Sequence, residues 1–182
     1  WAARRGSGPQ VALKILHKDL LAATHPAKGP SVLERFLAEA RILRELPHEN
    51  LVPIYEVIED PAQGIAAYAM QLLRGAELAD VYHAFDLPVI VEIFATIADT
   101  LHFLHGRGVV HRDLKPQNIF VADPAVGAPS VKIIDFGAAK QLFTDVQMQP
   151  TGTGIYVGTL QTMAPETFGS GERATPASDQ WG

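Results

Sequence analysis

The chain has 182 residues, enough for one large domain or two small lobes, and its 47% hydrophobic and 19% charged content is ordinary for a soluble globular protein. Its formal net charge is -5 and no block of basic residues stands out, which argues against a nucleic-acid or anionic-membrane partner. The sequence contains no cysteine, so disulfides, cysteine-ligated zinc and thiol catalysis are excluded.

The first half of the chain predicts three strands and one long helix. Residues Val11–Leu16 (VALKIL) form an apolar run with a single charge, and they follow the turn-forming residues Gly6–Pro9. The runs Leu51–Ile58 and Ile65–Leu72 have the same strand character. With the helix placed at Ser31–Leu46, the predicted order is strand, helix, strand, strand.

The predicted helix Ser31–Leu46 has clear start and stop signals. Ser31 and Glu34 have the spacing of a capping box, and Pro47 ends the helical pattern. The apolar residues that recur at helical spacing are Leu33, Phe36, Leu37, Ala40 and Leu43.

The second half of the chain is predicted to be mainly helical at first. Residues Pro88–His105 predict a helix ended by Gly106, and the change of pattern near Leu72–Gly75 predicts a lobe boundary. The apolar face of this helix is predicted to consist of Ile90, Ile93, Phe94, Ile97, Leu101 and Leu104.

Two short apolar segments and a long loop are predicted to follow. The segments are Ile119–Val121 and Val131–Ile134, and the stretch from Ala138 to Thr162 has little periodicity. A loop of that length is usually functional or disordered.

No stretch resembles a signal peptide or a membrane span. The densest apolar run, Leu87–Ala98, is short and carries Glu92, which favours a buried helix. The chain starts with Trp1 rather than Met and stops after SDQWG without a cap or polar tail, so we expect a fragment of a longer protein.

Lys14 lies in the middle of the first predicted strand, among apolar residues. One interpretation is an edge-strand lysine whose ammonium reaches water, and the other is a buried cation that meets an anion such as a phosphate. Glu39 on the first helix is a candidate partner. The alternative for Glu39 is a solvent-facing pair with Arg35, four residues earlier.

Asp113, Asn118 and Asp135 carry hard oxygen groups. Two carboxylates and one amide suit Mg²⁺, which prefers oxygen ligands. Alternatively, Asp113 accepts a proton from an attacking hydroxyl, and Lys115 stabilises a transferring negative group. Each aspartate alone is also compatible with a turn-stabilising role, and it is the combination that favours catalysis.

Four motifs occur in a defined order: VALK ending at Lys14, HRDLKPQN at His111–Asn118, DFG beginning at Asp135, and APE beginning at Ala164. With a helix-borne glutamate between the first two, the chain resembles a eukaryotic-type serine/threonine protein kinase of the kind also found in bacteria. The resemblance covers essentially the whole chain. It implies an α+β, two-lobed fold, with a truncated strand-rich N-lobe at residues 1–73 and a truncated, mainly helical C-lobe at residues 74–182.

The resemblance also implies the roles of individual residues, with ATP and Mg²⁺ as cofactors. Lys14 would contact the α- and β-phosphates of ATP and pair with Glu39. Asp113 would orient the substrate hydroxyl and accept its proton. Lys115 would steady the phosphoryl group, as is typical of Ser/Thr-directed members.

Further positions are implied for the metal and the adenine. Asn118 and Asp135 would hold Mg²⁺. Met70 would be the gatekeeper, and the backbones of Gln71 and Leu73 would bond the edge of the adenine. Ala12 and Phe120 would sandwich the ring from above and below. Ile134 would lie deeper, just before DFG.

Regulatory positions are implied by the same resemblance. Thr151 and Thr153 lie where bacterial relatives are often autophosphorylated, and Arg112 would receive the phosphate. Thr159 matches the threonine that contacts the catalytic aspartate and lysine. Asp179 matches the aspartate that braces the catalytic loop.

Two patterns in the sequence point elsewhere and are set aside. His102 and His105 form an HxxH pair, but no glutamate stands with them in HExxH order. Gly6–Gly8 lies too close to Lys14 to be the phosphate-covering loop, so it is interpreted as the turn joining the family's second and third strands. The family's glycine-rich loop is therefore missing from this chain, as are the helices that normally follow the SDQW segment. We expect the complete protein to be active and this fragment to be inactive or weak.

The leading hypothesis is ATP-dependent transfer of the γ-phosphoryl group to Ser/Thr hydroxyls of proteins, with activation-loop autophosphorylation and a homodimer for the reaction in trans. The alternatives are a pseudokinase scaffold and a small-molecule phosphotransferase with a kinase-like fold. Intact Lys14, Asp113, Asn118 and Asp135 argue against a scaffold, and Arg112 argues against the small-molecule enzyme. We expect a cytoplasmic location, with no nucleic-acid partner and no membrane segment in this chain.

Overall fold

The computed structural model describes residues 2–4, 8–16, 32–60, 62–122, 130–136, 164–165 and 174–181. The chain divides into two compact units, Trp1–Arg74 and Gly75–Gly182. Both units contain strands, and both contain helices, so the class is α+β as predicted.

The first unit is built on an antiparallel sheet of four strands, whose order is β1-β2-β4-β3. One helix, α1, packs against β3 and β4. The elements are β1 (Ala2–Arg4), β2 (Gln10–Leu16), α1 (Val32–Arg44), β3 (Ile54–Asp60) and β4 (Ile65–Gln71).

The short strand β1 is absent from the predicted elements. It pairs with β2, and Arg4 lies opposite Gln10. This pairing agrees with the interpretation of Gly6–Pro9 as a turn between two strands, although residues 5–7 lie outside the described part of the chain.

Helix α1 buries four of the five apolar residues that the sequence placed on one face, namely Phe36, Leu37, Ala40 and Leu43. The helix ends at Arg44, before the predicted Leu46 and three residues ahead of Pro47. Ser31 of the predicted capping box lies outside the described residues.

Strand β4 is central in its sheet and is made mostly of small residues. Ala66, Ala67 and Ala69 are buried together with Tyr68. The ring of Tyr68 packs on that of Phe36 from α1, with ring centroids 5.1 Å apart. The small side chains leave room for the large ring of Tyr68, which fills the space beneath the helix.

The second unit contains a small antiparallel sheet of order β5-β6-β7 and one long helix. Gly75 in β5 has φ +141°, and a Cβ there would overlap the Val121 carbonyl oxygen of β6. The elements are β5 (Gly75–Glu77), α2 (Leu78–Val81), α3 (Leu87–His105), β6 (Ile119–Ala122), β7 (Ser130–Ile133) and the 3₁₀ turns Tyr82–Ala84, Pro116–Asn118 and Pro176–Trp181.

Helix α3 begins and ends with recognisable signals. The side chain of Asp86 accepts a hydrogen bond from the Val89 amide at 3.2 Å, which caps the first turn. The helix ends at His105 as predicted. However, Gly106 stays right-handed at φ -62°, and the left-handed residue is Gly108 at φ 74°.

The predicted apolar face of α3 needs one correction. Phe94 is 59% exposed, although Ile97 and Leu101, three and seven residues later on the same helix face, are buried. The residues of α3 that are buried are Ile93, Ile97, Thr100, Leu101 and Leu104.

By length and composition α3 could also cross a membrane, since its 19 residues have a mean hydropathy of 1.6 over the tested window. A single helix of this kind is weak evidence for a membrane span, because core helices of soluble proteins pass the same test. One side of α3 is buried in the second unit, and its last residue, His105, bonds to Asp179 there.

Candidate active site

In the first unit, a buried carboxylate meets the lysine of the VALK motif. Glu39 on α1 is 3% exposed, and its Oε1 lies 3.5 Å from the Nζ of Lys14 on β2. A buried glutamate is costly unless it is paired, so this ion pair accounts for a charged residue on the apolar side of α1. The Lys14 side chain retains 28% of its exposure, which leaves part of it accessible to a ligand.

Sequence reasoning missed a third member of this cluster, Tyr68. Tyr68 lies directly opposite Lys14 in the β2–β4 pairing, and its hydroxyl donates to Glu39 Oε1 at 3.5 Å. The ammonium of Lys14 is 5.6 Å from the centre of the Tyr68 ring. The sequence feature that could have identified Tyr68 is a tyrosine among alanines in a predicted strand, because a buried tyrosine hydroxyl usually has a hydrogen-bond partner.

In the second unit, the HRDLKPQN segment folds into a tight loop around the carboxylate of Asp113. The amide nitrogen of Asn118 donates to the Asp113 carbonyl oxygen at 2.7 Å and to Asp113 Oδ2 at 2.6 Å. Lys115 Nζ lies 3.6 Å from the same Oδ2. Pro116 begins the 3₁₀ turn that carries Asn118 back towards Asp113, since its fixed φ suits the first turn of a helix.

The start of this loop is held in a strained conformation by Asp179. Arg112 has φ 71°, a left-handed value that costs a non-glycine residue on the order of 1 kcal/mol. Asp179 Oδ1 accepts from the Arg112 amide at 2.8 Å, and Oδ2 accepts from the His111 amide at 2.9 Å. His105 Nε2 lies 2.8 Å from Oδ2, a contact that sequence reasoning did not predict.

His111 is fully buried, and its hydrogen bonds define its tautomer. Its Nδ1 accepts from the Asp113 amide at 3.3 Å, so the ring proton is on Nε2, which donates to the Ile134 carbonyl oxygen at 3.2 Å. Burial lowers the pKa of His111 below its usual value, while the nearby carboxylates of Asp179, Asp113 and Asp135 oppose this. The neutral ring also packs on Phe136, with centroids 4.5 Å apart.

Asn118 and Asp135, the two residues predicted to hold a metal, lie close together. The Ile134 amide donates to the Asn118 carbonyl oxygen at 2.9 Å, and the Asn118 amide nitrogen reaches the Asp135 carbonyl oxygen at 3.4 Å. Asp135 has φ 54°, which turns the chain sharply as β7 ends. The side chain of Asn118 uses its nitrogen for these bonds, so its amide oxygen is the atom left for a cation.

These donors fit Mg²⁺, since the Asn118 amide and the Asp135 carboxylate both present hard oxygens. In the part of the chain that the structure describes, no group of three or more His, Cys, Asp and Glu side chains could hold a metal ion. A site built from one amide and one carboxylate also suits Mg²⁺ chemically, because this ion usually keeps several waters.

The residues predicted to contact adenine are all half-buried. In the first unit, Ala12 lies opposite Met70 in the β2–β4 pairing, and Gln71 ends β4. In the second unit, Phe120 lies on β6, and Ile134 directly follows β7. The remaining member of the set, Leu73, follows β4 in the first unit.

Three predicted regulatory residues, Thr151, Thr153 and Thr159, lie outside the described residues. Glu166 of the APE motif does so as well, whereas Ala164 is described and buried.

Comparison with known proteins gives a family. A model described as protein kinase domain matches residues 2–182. The chain is 40% identical to the serine/threonine-protein kinase Pkn1 of Myxococcus xanthus over 160 residues, which are 87% of this chain and 22% of that protein. It is 34% identical to PknB of Mycolicibacterium smegmatis over 175 residues, which are 93% of this chain and 26% of that protein.

A solved structure titled "PpkA-294 apo form" has a similar fold, with a TM-score of 0.56 and 22% identity, covering 66% of this chain and 42% of that one. The chain therefore belongs to the protein kinase domain family. Within that family it resembles the eukaryotic-type serine/threonine kinases of bacteria, and it spans between 22% and 26% of the length of the two curated relatives described above.

Proposed function

We propose that this chain functions in ATP-dependent transfer of the γ-phosphoryl group to serine and threonine hydroxyls of proteins. The observation that carries the proposal is the Asp113 carboxylate, held between the Asn118 amide at 2.6 Å and the Lys115 ammonium at 3.6 Å. Those two contacts orient one oxygen and leave a carboxylate able to accept a proton. The family membership of the chain supports the same reaction.

In the proposed reaction, Asp113 takes the proton from the attacking Ser or Thr hydroxyl. The hydroxyl oxygen forms a bond to the γ-phosphorus, and the bond from that phosphorus to the β–γ bridging oxygen breaks, so ADP carries away the electron pair. Lys115 stabilises the negative charge of the transferring group.

The proposed cofactors are ATP and Mg²⁺. Asn118 and Asp135 hold Mg²⁺, which supplies neutralisation of phosphate charge when bound. Lys14, oriented by Glu39, contacts the phosphates, and Ala12, Met70, Gln71, Leu73, Phe120 and Ile134 are the proposed adenine contacts.

Regulation by autophosphorylation in trans, through a homodimer, is part of the proposal. Thr151 and Thr153 are the proposed acceptors and Arg112 the proposed phosphate receptor, because a guanidinium forms charge-assisted hydrogen bonds with a phosphate. Protein substrates and a cytoplasmic location complete the proposal.

Replacing the base tests the mechanism. We expect Asp113→Asn to lower phosphotransfer by at least about 100-fold, because general base catalysis contributes on that order. Binding of Mg²⁺-ADP, measured by calorimetry, should stay close to that of the parent protein. Asp80→Asn, an exposed aspartate on α2, is the matched control and should leave both quantities unchanged.

Two results would contradict the proposal. Retained phosphotransfer in Asp113→Asn would show that another group is the base. Nucleotide binding without any phosphotransfer in the parent protein would favour a scaffold.

A further inference from the structure

We propose that Tyr68 is a positioning residue for the lysine–glutamate pair, an inference that rests on the proposed function. Its hydroxyl would hold the Glu39 carboxylate, and through it the Lys14 ammonium, in the orientation that meets the phosphates. Neither the motifs nor the comparisons assign a role to this position.

The first support is the convergence of two contacts on one oxygen. Glu39 Oε1 receives the Tyr68 hydroxyl at 3.5 Å and lies 3.5 Å from Lys14 Nζ. A carboxylate held by a neutral donor as well as a cation has fewer orientations than one held by a flexible lysine alone. The hydroxyl therefore limits rotation of the carboxylate.

The second support is that the tyrosine itself is fixed. Its side chain is buried at 2% exposure, and its ring stacks on Phe36 with centroids 5.1 Å apart. Phe36 lies one turn before Glu39 on α1, so the same helix that carries the carboxylate also holds the ring beneath it. The β2–β4 pairing sets Lys14 directly opposite Tyr68.

The third support is electrostatic. The ammonium of Lys14 lies 5.6 Å from the centre of the Tyr68 ring, a distance at which the ring face attracts a cation. Tyr68 thus contacts both partners of the ion pair, with its hydroxyl on the anion and its ring towards the cation.

Tyr68→Phe isolates the hydroxyl, because it keeps the ring and its packing on Phe36. We expect the variant to raise the KM for ATP by roughly three- to tenfold, the range that corresponds to the loss of one ordinary hydrogen bond. The kcat should change less than about twofold, because the phosphate contact is made in the ground state and the transition state alike. Tyr55→Phe, an exposed tyrosine on β3 of the same sheet, is the matched control and should behave as the parent protein.

A double-mutant cycle separates positioning from packing. In a Glu39→Ala background, Tyr68→Phe should change the KM by less than about twofold, since the acceptor is gone. The proposal is overturned if Tyr68→Phe leaves the KM at the parent value, or if it shifts the KM equally in both backgrounds.

The parent protein, Tyr68→Phe, Glu39→Ala and the double variant are also unfolded in urea without nucleotide. Their free energies of unfolding distinguish a failure of this proposal from a failure of the proposed function. Coupling between the two substitutions in the free energy of unfolding supports the hydroxyl–carboxylate contact even if the parent protein transfers no phosphate, in which case the kinase assignment alone fails. Absence of coupling between the two substitutions contradicts the Tyr68 proposal even if the parent protein is an active kinase.

Discussion

The His111 side chain hydrogen-bonds to the backbone of two separate segments of the candidate site. It accepts from the Asp113 amide and donates to the Ile134 carbonyl oxygen, one residue before Asp135. The bond from the Asp113 amide requires the neutral ring, because a protonated Nδ1 would point a hydrogen at the Asp113 amide hydrogen. The position of the candidate base therefore depends on the protonation state of a buried histidine.

A pH dependence of stability follows from the lowered pKa of His111. At pH values between the folded-state pKa of His111 and its ordinary value of 6.5, His111 binds a proton in the unfolded chain but not in the folded chain. The contribution of His111 to the free energy of unfolding is therefore complete above pH 6.5 and declines as the pH falls towards the folded-state pKa. For one proton the slope is at most about 1.4 kcal/mol per pH unit.

Urea unfolding at pH 7.5 and pH 5.5 measures this contribution. The parent protein should lose more stability on acidification than His111→Gln, which cannot titrate. His102→Gln, an exposed histidine on α3, should retain the pH profile of the parent protein. An identical acid loss in the parent protein and His111→Gln would contradict the assignment of a buried neutral ring.

At the scale of elements, the 3₁₀ turn Pro176–Trp181 supports the HRDLKPQN loop through one carboxylate. Asp179 is 2% exposed and accepts from two consecutive backbone amides, those of His111 and Arg112, while His105 at the end of α3 contacts it from another side. Three segments of the second unit thus meet at one buried group. The left-handed backbone of Arg112 persists because this network stabilises it.

Asp179→Asn should disturb this junction strongly. Either orientation of the new amide points an NH₂ group at one of the two backbone amides, so a buried donor loses its acceptor. We expect a loss of about 2–3 kcal/mol in the free energy of unfolding, together with reduced phosphotransfer. The measurement is urea unfolding with Asp99→Asn, an exposed aspartate on α3, as control. A loss no larger than that of the control would mean that Asp179 does not support the loop.

At the scale of the whole molecule, sequence reasoning succeeded where the determinants are local. Asp113 and Asn118 are five residues apart, and Pro116 between them forces a turn, so their proximity follows from spacing alone. The long helices were predicted because periodicity records which face is buried. The α+β class and the protein kinase family were both confirmed. The roles of the site residues remain predictions.

The contacts that sequence reasoning missed are distant along the chain. Tyr68 and Glu39 are separated by 29 positions, and Asp179 and His105 by 74. No local pattern encodes such pairs, because they depend on how strands and helices pack. The exposure of Phe94 was missed for a related reason, since an apolar side chain in a helix does not by itself reveal whether another element covers it.

The central claim is that this chain functions in phosphate transfer from ATP to Ser and Thr hydroxyls, with Asp113 as the proposed base. Mass spectrometry of the full-length protein after incubation with ATP and Mg²⁺ tests it most directly. We predict phosphate on serine or threonine, with Thr151 or Thr153 among the modified residues, and none in Asp113→Asn. A protein that binds ATP and Mg²⁺ but carries no phosphate and modifies no added protein substrate would contradict the claim.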